Sequence, residues 1–503
     1  MSGATAADAR VPRRPIRQDG PAKVTGAGAY TADLARTGLL HAAFRYADHP
    51  HARIVRIDAS RARAMSGVHA VITHEDVPDE RLGIAVKDRR LFAKETVRFE
   101  GDVVAAVAAR TPELAARAAA AIEVDYEPLP SLGDYRRALD DGAPLLHEAW
   151  EGYEGDHALG REGNLLARAT IVRGDVEAAL AGAHVVVRGR YLADASHGVP
   201  IEPRAIVAEW LGDRVAIWSS TQVPFTARDE VARVLRLAQS QVRVIVPLLG
   251  GGFGAKCNVH FEPHVAALAR AAGRPVRLAF SRREEFMAVD HRREGMAIEL
   301  ESGVTRDGRI VARRGTVLLD GGAYCGEGGF MAQLAAMHLC GPYRLDAADI
   351  RASLVYSTTQ PSASIRAPTA PQACWALEQH IDALAGAIGM DPIELRRRNL
   401  LDDGDRTVTG QVVDGIGLRQ TLERAVELIG PSDAAAPDTG IGVACGWWPS
   451  YAAPSGAHLT LNRDGSLTLV TGATETGTGA VMALGALAAD ALGLRAEDVT
   501  VCL

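Results

Sequence analysis

Pro247-Leu248-Leu249-Gly250-Gly251-Gly252-Phe253-Gly254-Ala255-Lys256 is the stretch on which the reading of this chain turns. Ahead of it runs Gln241-Val242-Arg243-Val244-Ile245-Val246, whose β-branched apolar residues read as a strand. Behind it, residues 261–273 read as a helix, with Pro263 near the first turn and Gly273 as the C-terminal stop. The glycines therefore fall on a strand-to-helix crossing, where backbone can approach a ligand closely because no Cβ intervenes. One aromatic, Phe253, is held among them. A tight turn with no ligand is the competing reading of the same residues.

Two familiar glycine patterns fail here. A P-loop requires Gly-x-x-x-x-Gly-Lys followed by Ser or Thr, whereas Lys256 follows Ala255 and precedes Cys257. A dinucleotide fingerprint, Gly-x-Gly-x-x-Gly, fits Gly250 to Gly254 only loosely, and no acidic residue ends a second strand at the expected distance. Nicotinamide-dependent hydride transfer is thereby disfavoured.

The chain has 503 residues and a net charge of -7, enough length for several domains with real cores. Charge is mixed along the chain with no basic stripe, which argues against nucleic acid as a partner. The six cysteines (Cys257, Cys325, Cys340, Cys374, Cys445 and Cys502) include no C-x-x-C pair, so neither a zinc knuckle nor a locally ligated iron–sulfur cluster is expected. Sparse cysteine suits a reducing, cytoplasmic compartment. No apolar run reaches about 18 residues, so no membrane span is expected.

Residues 1–18 are polar, with Arg13-Arg14 and no apolar stretch after them; they read as a disordered leader rather than a signal peptide. Residues 19–130 read as a small α+β domain. Its strands are expected at 39–45, 68–72 and 102–108, and its helices at 59–65 and 112–121, the second with Thr111 as N-cap and Pro112 first. Residues 131–160 are loose and charged, a linker over the surface. A mixed α/β region runs from about 165 to 400, inside a domain bounded at 161–430, and ends in a helix over 372–388 followed by the segment 391–399. Residues 431–439 are a Pro/Asp/Ala-rich joint. From 440 a hairpin turns at Asn462-Arg463-Asp464-Gly465, a helix spans 480–492, and 499–503 begins another strand. The 440–503 segment reads as incomplete.

Six pieces now fall in order: Asp19-Gly20-Pro21-Ala22-Lys23-Val24-Thr25-Gly26; Ser219-Ser220-Thr221-Gln222; Gly250 to Lys256; Ile365-Arg366-Ala367-Pro368 with Pro371-Gln372-Ala373; Asp391 to Asn399; and Thr474-Glu475-Thr476-Gly477-Thr478-Gly479. In these, across residues 19–503, the chain resembles the molybdenum-binding large subunit of the molybdenum hydroxylases: xanthine dehydrogenases, aldehyde oxidoreductases and aerobic carbon monoxide dehydrogenases. The resemblance implies an α+β, mixed α/β fold. A hammerhead-type domain over 19–130 precedes a first molybdopterin-binding domain over 161–430 and the start of a second over 440–503.

It also implies hydroxylation of a small molecule with water as the oxygen source, the hard step belonging to molybdenum on a pterin dithiolene. Gln222 would donate an amide hydrogen bond toward an oxo ligand, though a satisfied strand-end glutamine is the plainer alternative. Gly252, Phe253 and Gly254 would bring backbone up to the metal's oxygen ligands. Arg366, among Ala363, Ser364, Ile365, Ala367 and Pro368, needs a polar partner. The resemblance offers the substrate oxygen; a structural ion pair is the alternative. Gly477, Thr478 and Gly479, just before a helix, would hold the cofactor's pyrophosphate. The implied cofactor is molybdenum–molybdopterin cytosine dinucleotide, with no protein side chain on the metal. The implied partners are a [2Fe-2S] iron–sulfur small subunit and a FAD-binding medium subunit. Export would then require a signal on a partner subunit. His197 and Glu202 read as structural.

Departures narrow the substrate. Purine-hydroxylating members carry a glutamate where Cys257 stands. Carbon monoxide dehydrogenases carry a copper-binding cysteine where Ser362, Ala363 and Ser364 stand. Gly477-Thr478-Gly479 replaces the usual Gly-Gln-Gly and looks most like the aldehyde-oxidising bacterial group. Aldehydes and N-heteroaromatics stay open. The family's catalytic glutamate, in Gly-Val-Gly-Glu, has no counterpart in the 503 residues. Either this is a fragment or a second polypeptide completes the domain, and the chain alone is expected to be inactive. The competing function is a non-catalytic cofactor-binding or scaffold remnant.

Overall fold

The computed structural model describes residue 17 and residues 19–289, 291–326, 328–430, 438, 440–449 and 455–502. The leader at 1–18, apart from Arg17, and the joint at 431–439, apart from Asp438, lie outside the described residues.

Two sheets carry most of the chain. The larger has seven strands in the order Val242–Ile245, Arg214–Ser219, Ala205–Leu211, Val276–Ala279, Leu40–Tyr46, Val103–Ala109, Val68–Ile72. Its strands come from both sides of residue 130: Leu40 pairs in parallel with Val276. The 19–130 segment is therefore not a separate hydrogen-bonded unit. Val103–Ala109 is buried along its whole length, and its small side chains admit cover on both faces. Ala106 and Ala108 face Val265 and Leu268 of the helix Glu262–Ala272. Ala105 and Val107 face Ala118 and Ala119 of Pro112–Ala120. This two-residue alternation is the signature of a strand covered on both sides. Glu123–Pro128, Ala52–Asp58 and Thr96–Val97 form a separate three-stranded sheet beside it.

The second sheet has the order Val185–Ala193, Met296–Val304, Ile310–Gly322, Ala347–Tyr356, Leu165–Arg173. Only Ile310–Gly322 and Ala347–Tyr356 run parallel, with Ala312 opposite Ala347. The helices Gly329–Cys340 and Ala370–Ala387 supply Ala332, Ala336, Ala373 and Leu377 to its core.

Residues 131–160 are not the loose surface linker that their glycines and charges suggest. Their backbone is irregular, but Leu132, Leu146, Tyr153 and Leu159 are buried in the core of the second sheet. Each such burial contributes about 1.5–3 kcal/mol. The Asn164 carboxamide ties the segment down, accepting from Leu146 N (3.1 Å) and donating to Pro144 O (2.9 Å). Composition averages over such a segment, whereas a few well-placed apolar side chains anchor it.

A third sheet, Ala457–Leu461, Leu467–Thr471 and Val499–Cys502, packs against the helix Ala480–Leu492. Among the described residues no helix is long and apolar enough to cross a membrane.

Candidate functional site

Arg214–Ser219 and Val242–Ile245 run parallel, Trp218 opposite Ile245. Their C-terminal ends therefore open on the same side, where ligands bind in open α/β sheets. One end leads into Gln222, the other into the glycine stretch, and the two are knitted together. Gln222 N donates to Lys256 O (2.8 Å), while Gln222 Oε1 accepts from Gly254 N (3.1 Å) and Lys256 N (3.3 Å). Both loop donors use the carboxamide oxygen. Among the described residues the Gln222 NH2 has no acceptor. A Cβ on Gly252 would lie 2.3 Å from Gln222 Oε1, so any larger residue would push the carboxamide out of place.

Gly254, expected to offer its amide to a ligand, spends it on Gln222. The successive N–H groups of Gly251, Gly252 and Phe253 have no acceptor among the described residues. Consecutive amides of this kind form an anion-binding concavity. Phe253 holds φ +54 and is 47% exposed, standing out of the loop.

Lys256 fixes the loop from beneath. Its side chain is completely buried, and Nζ donates to Glu202 Oε2 (2.8 Å) and Glu202 O (2.9 Å). Glu202 Oε2 also accepts from Gly250 N (2.8 Å). Burial pulls the Lys256 pKa down, and Glu202 opposes that pull. Glu202 thus anchors the loop from beneath; the His197 ring packs edge-on to Phe286 at 4.7 Å. The pairing of Lys256 with Glu202 was not foreseen; a lysine ending a glycine loop is its only sequence signal.

The second wall follows Tyr356 of the other sheet. Arg366 N donates to Phe253 O (2.8 Å), which seats the 362–369 loop against the glycine loop. A Cβ on Gly254 would lie 2.3 Å from Ser364 O, so this contact requires glycine. The Arg366 side chain is exposed and has neither an ion pair nor a hydrogen bond among the described residues. It is not the enclosed cation its apolar neighbours suggest, because the loop turns outward at Ala367 (φ +54) and Thr369 (φ +62). Three of the six non-glycine residues with positive φ among the described residues, Phe253, Ala367 and Thr369, thus meet here. Strain of about 1–3 kcal/mol per residue persists only where the surroundings impose it, and it clusters at functional sites.

The third loop departs from expectation. Gly477 N, Gly479 N and Val481 N all donate to the Glu475 carboxylate, at 2.8, 2.9 and 3.1 Å. The glycine amides assigned to a phosphate are thus already capped by the chain's own anion. Thr478 is exposed. This loop reaches the first through Thr474 Oγ1, which donates to Gln222 O (3.3 Å). Between them lies a cavity of about 240 Å³ lined in part by Phe225, Arg228, Arg243, Pro247, Thr474 and Glu475. A larger groove, about 410 Å³, lies over Gly189 and Gly315 of the second sheet and includes no residue of this site.

Under the 362–369 loop, Glu294 is fully buried, and burial lifts its pKa to about 7 despite Arg293 and Arg292 nearby. Among the described residues no three His, Cys, Asp or Glu side chains cluster as a metal site.

Residues 158–400 and 424–503 match the family description of a molybdopterin cofactor-binding domain, and residues 25–130 that of an aldehyde oxidase and xanthine dehydrogenase a/b hammerhead domain. The chain is 35% identical over 415 residues to the nicotinate dehydrogenase large molybdopterin subunit of Eubacterium barkeri, covering 82% of this chain and 94% of that one. It is 32% identical over 515 residues to the xanthine dehydrogenase molybdenum-binding subunit of Escherichia coli O157:H7, covering 97% of this chain and 66% of the relative. The aldehyde oxidoreductase of Desulfovibrio gigas superposes with a TM-score of 0.88 at 28% identity, over 97% of this chain and 55% of that one. The chain thus spans nearly all of one relative and between half and two thirds of the others. It belongs to the molybdopterin-binding subunits of the xanthine dehydrogenase and aldehyde oxidase family.

Proposed function

We propose that this chain is the molybdenum-binding large subunit of a hydroxylase that oxidises an aldehyde or an N-heteroaromatic, with water as the oxygen source. The observation that carries the reading is the cradle between Gln222 and Phe253: a carboxamide NH2 and three successive backbone amides, all without acceptors among the described residues, over a glycine where a Cβ would meet the Gln222 carboxamide. This donor set suits an oxygen-rich anionic group. Molybdenum–molybdopterin, in the cytosine dinucleotide form, fits it and would supply the two-electron chemistry when bound. Gln222 and the amides of Gly252 and Phe253 would orient its oxygen ligands, with Gly254 setting the Gln222 rotamer. Thr478 is the open contact of the 477–479 loop, since Gly477 and Gly479 have to be released by Glu475 before they can meet phosphate. Arg366 would hold the substrate's carbonyl or developing oxyanion.

Cys257 in the purine-glutamate position and Ser362 to Ser364 in the copper-cysteine position speak against xanthine and carbon monoxide. The likeness to a nicotinate dehydrogenase subunit supports the N-heteroaromatic class. Electrons would leave through a [2Fe-2S] small subunit and a FAD-binding medium subunit, in the cytoplasm unless a partner subunit carries an export signal.

The test is Arg366→Ala in the assembled, metal-loaded enzyme. We expect kcat/KM to fall by the equivalent of about 2–4 kcal/mol with normal molybdenum content. Unchanged kinetics in a loaded variant would remove Arg366 from the substrate site.

A further inference from the structure

We propose that Arg293 is a positioning residue for Arg366, holding the backbone of residues 365–367 in the conformation that presents Arg366 to substrate. The proposal rests on the reading of Arg366 given above. Arg293 is 9% exposed. Its guanidinium donates to the carbonyls of Ile365 (3.3 Å), Arg366 (2.6 Å) and Ala367 (3.1 Å) and to Gln372 Oε1 (3.2 Å). Three consecutive carbonyls are therefore gathered by one side chain.

The base of this clamp is itself pinned. Arg293 N donates to Ser196 O (2.7 Å) and Arg293 O accepts from Ser196 N (3.3 Å), just ahead of the strand Met296–Val304. Gln372, on the helix Ala370–Ala387, donates through Nε2 to Glu294 O (3.0 Å), so the same carboxamide meets both neighbours of the strand start. Ala367 and Thr369 adopt positive φ without being glycine. Ala370 N, which donates to Ala367 O (3.1 Å) and Pro368 O (2.8 Å), and the Thr369 hydroxyl, bonded to His338 Nδ1 (2.9 Å), hold the far end of the turn; Arg293 supplies the side-chain donors to the carbonyls on either side of Arg366 and to its own.

The link to function is that the Arg366 side chain has no partner among the described residues to aim it. Its direction is set by its backbone, through Phe253 O on one side and Arg293 on the other. Lysine cannot substitute, because a single ammonium lacks the planar five-donor fork that spans several carbonyls.

The experiment compares Arg293→Lys, Arg366→Ala and the double variant in the assembled, cofactor-loaded enzyme, with amide hydrogen exchange as a second readout. We expect Arg293→Lys to lower kcat/KM by about 10- to 100-fold at normal molybdenum content, the scale for a misplaced positioning group. The double variant should be no worse than Arg366→Ala alone, since the clamp acts only through that side chain. Exchange at residues 366–370 should accelerate while Ile310–Gly322 stays protected. Wild-type kcat/KM in Arg293→Lys, or losses that multiply in the double variant, would overturn the proposal while leaving Arg366 in place. An inert Arg366→Ala would instead remove the underlying reading; faster exchange would then mark Arg293 as merely structural, and the positioning role falls. If Arg293→Lys does not load cofactor, Gln372→Met, which removes one of the four acceptors, should show a smaller fall with the same non-additivity. Additive losses there count against the proposal equally.

Discussion

The two glycine loops of this protein use glycine for different reasons. In the 250–254 loop the glycines make room: added Cβ atoms would meet Glu202 at Gly250, Gln222 at Gly252 and Ser364 O at Gly254, all within 2.4 Å. The loop is locked over a buried ion pair. In the 477–479 loop a Cβ on Gly477 would meet nothing within 4 Å, and one on Gly479 only Met482 Cε at 3.5 Å. There glycine supplies left-handed backbone alone, φ +98 and +82; the first loop needs that too, at Gly251 (φ +95) and Gly254 (φ +88), and adds the demand for room. The first loop is defined by tertiary neighbours and the second by its own dihedrals and its own carboxylate. A glycine motif alone does not say which kind it is.

The largest expected effect tests the lock. Glu202→Ala strips the buried Lys256 of its counter-charge and Gly250 N of its acceptor, and should destabilise by about 3–5 kcal/mol. Chemical denaturation measures it, and a loss under 1 kcal/mol would mean that the pair does not anchor the loop.

The next effect uses pH to separate the loops. The folded Glu294 carboxyl titrates near 7, above its ordinary value of 4.5, so the folded state binds the extra proton between those values. Its contribution is present below about pH 4.5 and is lost as pH rises through 7, on the order of 3 kcal/mol in all. Glu294→Gln should therefore flatten the decline in stability from pH 5 to pH 8 for the body that carries the 362–369 loop. A Glu294→Gln profile parallel to the wild type would show that Glu294 does not titrate there.

Gly252→Ala is third. The new methyl displaces the Gln222 carboxamide, at about 1–3 kcal/mol for overpacking, and molybdenum content should fall with it. Metal analysis finding full loading would mean that the cradle is not the cofactor's.

The smallest effects belong to the second loop. Glu475→Ala uncovers three amides at the start of Ala480–Leu492 and should cost about 0.5–2 kcal/mol, the range for a lost helix cap. Gly477→Ala should cost about 1–2 kcal/mol of backbone strain without a clash. If Gly477→Ala cost more than about 3 kcal/mol, beyond the range for overpacking, the distinction between the loops would collapse.

Much of this was legible in one dimension. The run Val242 to Val246, the helix stop at Gly273 and the hairpin turn 462–465 are local signals, and the strand Val242–Ile245 and helix Glu262–Ala272 follow them closely. The meeting of Gln222 with Gly252 was available only through resemblance, since the two are joined by a parallel strand pair and not by chain proximity. Arg293, Lys256 with Glu202, and the Glu475 cap were all visible as charges and invisible as partners. The buried side chains of 131–160 were hidden by their polar surroundings.

By itself, then, the sequence determined where glycine leaves the backbone unrestricted, where chains start and stop as strands and helices, and which side chains could carry chemistry. These depend on the residue and its immediate neighbours. Tertiary structure alone decided which amides remain unspent at the site, which glycines are there for room, and that Arg366 faces outward while Arg293 stays within. Those follow from contacts between segments far apart in the chain: Gln222 with Gly254, Arg293 with Ala367, Phe253 with Arg366. Hydrogen bonding is a complete accounting of donors and acceptors, and the account closes only when every partner is in place.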